Sequence, residues 1–165
     1  MIRRSLLTAA LILGGSVIAA PKVNAQSIDV PFTGSVGGVC NVGQVTPGML
    51  GTYSPGGPGT NPTMLDTYAP GGSQGKVAVS CNQDAVVSVS KPRQTGGSDF
   101  IAINSYSNLN SPFGSSWADG MGAFGTHIIP PGLGMELTID MMVDKGVALV
   151  PDVYNFVTTV SITPL

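Results

Sequence analysis

The chain has 165 residues, of which 42% are hydrophobic and only 10% are charged, and its formal net charge is −2. This balance excludes the clustered Lys and Arg that nucleic-acid and anionic-lipid binding require. The few charges are accompanied by many β-branched residues and 23 glycines, which argues against intrinsic disorder and is typical of an all-β extracellular domain.

Residues 1–25 are predicted to be a secretory signal peptide. Arg3 and Arg4 supply its positive start, residues 6–20 form an uncharged apolar run, and Val23-Asn24-Ala25 provides the cleavage site. A membrane anchor is the alternative, but a run of about 15 residues is shorter than the roughly 20 that span a bilayer. The first arginines also loosely match a twin-arginine export signal. We therefore expect export through the periplasm to the cell surface or medium, with no stable membrane span.

Residues 26–165 are expected to form one mature domain. Loss of Arg3, Arg4 and Lys22 on cleavage leaves four basic residues against nine acidic ones. This acidic balance again gives nucleic acid no site to bind.

The only two cysteines, Cys40 and Cys81, are predicted to form a disulfide. Each follows a period-2 apolar pattern, which indicates a half-buried strand ending at the cysteine. In an exported chain, such a pair most simply forms a structural bond. A redox or metal pair is the alternative, but the spacing fits no Cys-x-x-Cys motif and His127 is the only histidine. The two patterns are Ile28, Val30, Phe32 and Val36 before the first cysteine, and Val77 and Val79 before the second.

A local duplication lies between the cysteines. Residues 49–57 recur as residues 64–72, and each copy reads as a short strand followed by a Pro-Gly-Gly turn. The simpler interpretation is a paired hairpin at the edge of the sheet. The alternative is that Tyr53 and Tyr68 line a surface that contacts carbohydrate or a partner.

Further strands are predicted at residues 85–90 and 100–103, with a turn at 94–98 between them. Residues 105–125, which include Trp117, read as a long loop. Alternating apolar residues predict a strand over 133–143, with Asp140 and Asp144 on its solvent side, and another from Tyr154 to the C-terminus. Seven or so short strands and no helix indicate a β-sandwich.

The sequence contains no recognisable catalytic or ligand-binding motif. Gly114-Ser115-Ser116 lacks the glycine that follows the serine in a nucleophile elbow. The aspartates do not have EF-hand spacing, and no glycine motif that cradles phosphate is present. We predict that the protein is not an enzyme and binds no metal or cofactor, and that His127 is a strand-end or loop residue.

Four segments, taken in order, resemble the chaperone–usher pilin superfamily, and most of all its spore coat protein U type domain. The resemblance spans nearly all of residues 28–165 but rests on short motifs in the right order. They are Cys40-Asn41-Val42, Leu50-Gly51-Thr52-Tyr53-Ser54-Pro55, Val77-Ala78-Val79-Ser80-Cys81, and Leu149-Val150-Pro151-Asp152-Val153-Tyr154 with the strand that follows it.

The resemblance implies an immunoglobulin-like β-sandwich, either complete or lacking one strand. A missing strand would be supplied by a periplasmic chaperone and then by a neighbouring subunit at the usher. Ile28, Val30 and Phe32 would be either that donor strand or the first strand of the domain itself. The implied function is an exported subunit of a surface coat or fibre that serves adhesion or biofilm formation. The alternative is a self-complete secreted module that binds glycan or matrix, with Tyr53, Tyr68 and Trp117 as surface contacts.

Overall fold

Thirteen β-strands and no helix make up the part of the chain that the computed structural model describes, which is residues 31–57, 59–120 and 122–165. The predicted signal peptide, Ile28 and Val30 lie outside the described residues. The strands are β1 (Cys40–Thr46), β2 (Gly51–Tyr53), β3 (Met64–Asp66), β4 (Gly75–Cys81), β5 (Ala85–Val89), β6 (Arg93–Gly96), β7 (Asn104–Ser111), β8 (Gly114–Asp119), β9 (Gly122–Phe124), β10 (His127–Ile129), β11 (Gly132–Asp144), β12 (Asn155–Val157) and β13 (Val160–Pro164).

The strands form two facing sheets, and the predicted all-β sandwich with one disulfide is confirmed. The larger sheet has the order β1-β4-β11-β7-β8-β9, while β3 also pairs with β11, and β2 with β3. The smaller sheet has the order β10-β5-β13, and its central strand β5 packs against β7 and β8. A separate pair joins β6 and β12. Every pairing is antiparallel.

One long interrupted hairpin contains both cysteines and the duplication. Its two arms are β1 followed by β2, and β3 followed by β4. Cys40 and Cys81 are paired at its base, where their Cα atoms are 4.1 Å apart and the disulfide joins them. The duplicated segments therefore do pair as a hairpin, as the sequence predicted.

The strand predicted to lead into Cys40 is not present in the described residues. Residues 31–39 form no strand, and Cys40 begins β1 instead of ending a strand. Phe32 and Val36 are 93% and 88% exposed, so their matching parity does not correspond to a buried face. By contrast, Cys81 does end β4, as predicted.

The main core lies between the two sheets. It is built from alternate residues of β4, β5, β7, β8, β10 and β11, among which Ala85, Val87, Leu109 and Leu137 are fully buried. A second cluster surrounds Phe100, whose ring makes edge-to-face contacts with Tyr154 and Phe156. Such pairs add about 0.5–1.5 kcal/mol beyond the area they bury.

Three predictions for the middle of the chain were wrong. Residues 105–125 hold the β7–β8 hairpin and β9 instead of a loop, residues 100–103 are not a strand, and β6 overlaps the turn predicted at 94–98. The hairpin was missed because its inward positions include Ser107 and Ser116, which are fully buried although they are polar. On each strand a serine occupies one inward position and Leu109 or Ala118 the other. The inward positions are therefore not clearly more apolar than the outward ones, and the strand pattern is hard to recognise.

The last predicted strand is divided into two. β12 pairs with β6 and β13 pairs with β5, so the chain changes sheets at Thr158 and Thr159. Hydrogen bonds from these two threonines to Ser90 hold the crossing point: the Thr159 amide donates to the Ser90 hydroxyl over 2.8 Å, and the Thr158 hydroxyl donates to its carbonyl. In the described part of the chain no helix is long and apolar enough to cross a membrane.

Candidate functional site

An open apolar groove lies between the two sheets, along one side of the sandwich. Its floor is the inner face of the large sheet, and its two walls are β1 on one side and the segment from β12 to β13 on the other. We call it the β1–β13 groove. Its apolar lining includes Leu65, Val77, Ile139 and Met141 in the floor, Val42 and Val45 in one wall, and Phe156, Val160 and Ile162 in the other.

Both walls of the groove are strand edges. Among the described residues β1 pairs only with β4, and β13 pairs only with β5. Each strand therefore has one side whose backbone groups are not part of a ladder. Such an edge is a template for the addition of another strand.

The side chains at the groove are less covered than a sandwich core requires. Val42 and Val45 are 57% and 63% exposed, whereas Val77 and Val79 on the neighbouring β4 are buried. The groove has a volume of about 1140 Å³, above the roughly 300–1,000 Å³ of ordinary small-molecule sites. Its volume, its apolar floor and its two edges suit an extended segment of polypeptide.

The opposite, outward surface of the large sheet carries four aromatic side chains. Strand register places Tyr53, Tyr106 and Trp117 on this side, and the hydroxyl of Tyr68 reaches it from the loop between β3 and β4. We call this surface the aromatic face. Tyr68, Tyr53 and Trp117 are 67%, 48% and 44% exposed.

A buried carboxylate lies in the middle of the aromatic face. Asp140 lies on the outward side of β11, as the alternation predicted, but it is only 1% exposed, so the expectation that it faces solvent was wrong. It accepts hydrogen bonds from Gln74 Nε2 at 2.6 Å and from Asn110 Nδ2 at 3.0 Å. Tertiary contacts bury Asp140, because side chains from the β3–β4 loop and from β7 cover the outward side of β11 at this point.

Asp140 also acts on the tyrosines around it. Hydrogen bonding of the Tyr68 hydroxyl to the Asp140 carboxylate is the main cause that raises the pKa of Tyr68, followed by burial. Gln74 Nε2 donates to the same hydroxyl at 3.1 Å. The pKa of Tyr106 is raised by burial first, and then by the negative charges of Asp66 and Asp140. The face is therefore a connected network with negative potential.

No protein-family model, no curated protein and no solved structure matches the chain. The resemblance to the spore coat protein U type domain therefore remains a prediction from the sequence.

Ser111 and His127 form the one pair in the described residues that invites a catalytic interpretation. Ser111 Oγ lies 2.8 Å from His127 Nε2, accepts the amide of Phe113 at 3.1 Å and donates to the carbonyl of Gly114 at 3.3 Å. His127 Nδ1 is buried, and no described group bonds to it, so nothing orients the ring as a triad does. The contact ties the β7–β8 turn to β10.

The structure brings together residues that the sequence treated separately. The predicted contacts Tyr53, Tyr68 and Trp117 share one face, together with residues that sequence reasoning missed: Gln74, Tyr106, Asn108 and Asn110. The groove residues Val42 and Val45 were missed as well, although the resemblance predicted a possible gap in the sandwich. In the described residues, no three side chains of the types that bind metals come together.

Proposed function

We propose that the protein is an exported structural subunit of a cell-surface coat or of a chaperone–usher-type fibre, assembled by donor-strand complementation. The observation that carries this proposal is the β1–β13 groove, with an apolar floor between two unpaired strand edges. An inserted strand would bond to both edges, and its alternate side chains would cover the floor. A periplasmic chaperone would occupy the groove first, and a neighbouring subunit would replace it at the usher.

The donor in a neighbouring subunit would be the segment that carries Ile28, Val30 and Phe32. Their spacing places all three side chains on one side of an extended strand. Phe32 is 93% exposed and lies in no strand, while the other two residues lie outside the described part. If this segment instead supplies the first strand of its own domain, the sandwich completes itself and the secreted binding module becomes the better reading.

The test is the assembly state of the mature protein purified from the periplasm, followed by size exclusion and by electrophoresis without heating. We expect ladders of subunits, or a complex with a second small protein. Val45→Glu places a charge in the groove wall and should abolish the ladders. Val147→Glu is the matched control, because Val147 is 59% exposed but does not line the groove.

A mixing experiment separates donor from acceptor. Phe32→Glu impairs the donor and leaves the groove intact, whereas Val45→Glu does the reverse. Each variant alone should stay unassembled, and the two mixed together should give a dimer and nothing longer. A wild-type protein that is a stable monomer without any chaperone would contradict the proposal.

A further inference from the structure

The aromatic face is an organised surface that the proposed assembly does not use. The groove lies between the sheets, whereas this face is turned outward from the large sheet. Strand pairing sets Trp117 beside Asn108, and Asn108 beside Asp140, in one row across three strands. Neighbouring strands are about 4.8 Å apart, so this row places an aromatic ring and an amide at regular steps beside the buried carboxylate of Asp140.

Tyrosine rings border this row. Tyr106 lies on the same strand as Asn108, two residues away and on the same face, and Tyr68 reaches the row at its far end through Gln74. The outward face of an antiparallel sheet usually bears charged and small polar residues. Four large aromatic residues on one such face therefore need an explanation other than packing in the core.

The polar groups between the rings are held in place. Asn108 Nδ2 donates to Asn110 Oδ1 at 3.3 Å, and Asn110 in turn donates to Asp140. Because Asp140 is buried and receives two amide groups, it orients Gln74 and Asn110 before any ligand arrives. Sites fixed in this way lose less conformational entropy on binding.

Flat rings next to amide side chains suit a carbohydrate, because the rings cover the apolar side of a sugar while the amides bond to its hydroxyl groups. The charged groups of the face indicate which class of carbohydrate it favours. Asp66 and Asp140 lie close enough to Tyr106 to act on it electrostatically, and Lys76 is paired with Glu136 at 2.9 Å. Carboxylates and aromatic rings together favour a cationic group.

We infer that the aromatic face binds a polysaccharide with free amino groups, through Trp117, Tyr68 and Tyr106 and the acidic groups beside them. Such a site would give the exported protein a specific contact with a cationic glycan matrix. This inference does not depend on how the β1–β13 groove is filled. It therefore stands or falls separately from the proposed assembly.

The test compares two oligosaccharides with the same sugar backbone, chitosan oligomers with free amines and fully N-acetylated chitin oligomers. Titration calorimetry of the full mature protein should show at least tenfold tighter binding of the chitosan oligomers. Their affinity should fall as salt is raised, because exposed charges are screened. Equal or tighter binding of the acetylated oligomers, or no binding of either, would overturn the inference.

Variants locate the site. Trp117→Ala and Tyr68→Ala should each weaken binding of the chitosan oligomers by tenfold or more. Phe113→Ala is the control, because Phe113 is 55% exposed and lies in the turn between β7 and β8. Asp66→Asn keeps the side-chain oxygen that accepts the Tyr68 amide at 2.8 Å and removes one charge, so only the preference for the amine should decrease. Binding that survives both aromatic substitutions in folded protein would contradict the assignment.

Discussion

Gly51 lies directly opposite Asp66 across β2 and β3, and the two residues are the same position in the two copies of the duplicated segment. Asp66 Oδ1 accepts the amide of Tyr68 at 2.8 Å, and its carbonyl accepts the amide of Ala69 at 3.3 Å, so the second copy turns at once. The backbone does not turn at Gly51, and the first copy continues as β2. The two copies, which differ only at this position and at Ser54/Ala69, thus adopt different conformations and pair with each other.

Gly51→Ala should destabilise the protein. A Cβ atom at this position would lie 2.4 Å from the carbonyl oxygen of Pro70 and 2.8 Å from that of Ala69, so the backbone of the second copy would have to move. Overpacking of this kind costs about 1–3 kcal/mol. The measurement is urea unfolding of the oxidised protein. Gly43→Ala on β1 is the control, because its Cβ would make ordinary contact with Ala78 at 3.4 Å, and equal stability of both variants would contradict the account.

The turns of the duplication were predictable, but their types were not. In the second copy Gly71 has a φ of 85°, in the third position of the turn that the Gly72 amide closes onto Ala69, as in a type II turn. In the first copy the positive φ, 88°, is at Gly57 instead, the last residue of its turn. Both turns contain the same Pro-Gly-Gly sequence, so the surrounding structure decides which turn type each copy adopts.

Removal of the disulfide should lower stability more than any surface substitution. The Cys40–Cys81 bond closes the base of the long hairpin with a sequence separation of 41, for which chain entropy predicts about 4 kcal/mol. We expect the double variant with alanine at both positions to unfold at much lower urea concentration. Wild-type protein treated with dithiothreitol should match that variant, with reduction verified by mass spectrometry. A difference of less than about 1 kcal/mol would show that pairing of β1 with β4 suffices without the bond.

The sequence predicted the parts of the fold in which hydrophobic contrast is strong, such as β4, β5 and most of β11. It failed where tertiary contacts override the pattern. Asp140 follows the polar parity of β11, yet Gln74 and Asn110 cover it, and those residues are 66 and 30 positions away in the chain. The groove could be expected only through the family resemblance, since exposure of Val42 and Val45 depends on which strands do not pair with β1.

Asp140→Asn tests the buried network. One carboxylate oxygen would become an NH₂ group that faces the amide donor of Gln74 or Asn110, so a buried donor would lose its acceptor. We expect a loss of about 1–3 kcal/mol in the free energy of unfolding. Asp144→Asn is the control on the same strand. The Asp144 oxygen that accepts the Gly146 amide is retained in the asparagine side chain.

The same substitution should also change a spectroscopic signal. The pKa of Tyr68 is raised chiefly by its hydrogen bond with Asp140, so in Asp140→Asn the tyrosine should ionise at lower pH. Alkaline ultraviolet titration measures this, and Tyr68→Phe identifies which part of the signal belongs to Tyr68. An unchanged titration together with an unchanged unfolding curve would show that the network does not operate in solution.

His127 should make stability fall as the solution is acidified below neutrality. Burial lowers the pKa of His127 below its usual value, so the folded protein keeps the ring neutral while the unfolded chain takes up a proton below about pH 6.5. Its contribution is therefore complete above that pH and is lost as the pH falls towards the lowered pKa. Because His127 is the only histidine, the difference in unfolding free energy between wild type and His127→Gln isolates it.

We expect the wild type to lose stability relative to His127→Gln as the pH falls from 7.5 to 5. In this window ordinary carboxylates remain charged in both proteins. Asp152, whose pKa is lowered by hydrogen bonds from Ser98 and Val153, loses its contribution only at more acidic pH and is common to both. Thermal or urea unfolding at each pH gives the two curves. Parallel curves would mean that the His127 ring takes up a proton as readily in the folded protein as in the unfolded chain, and that the β10 edge opens to water.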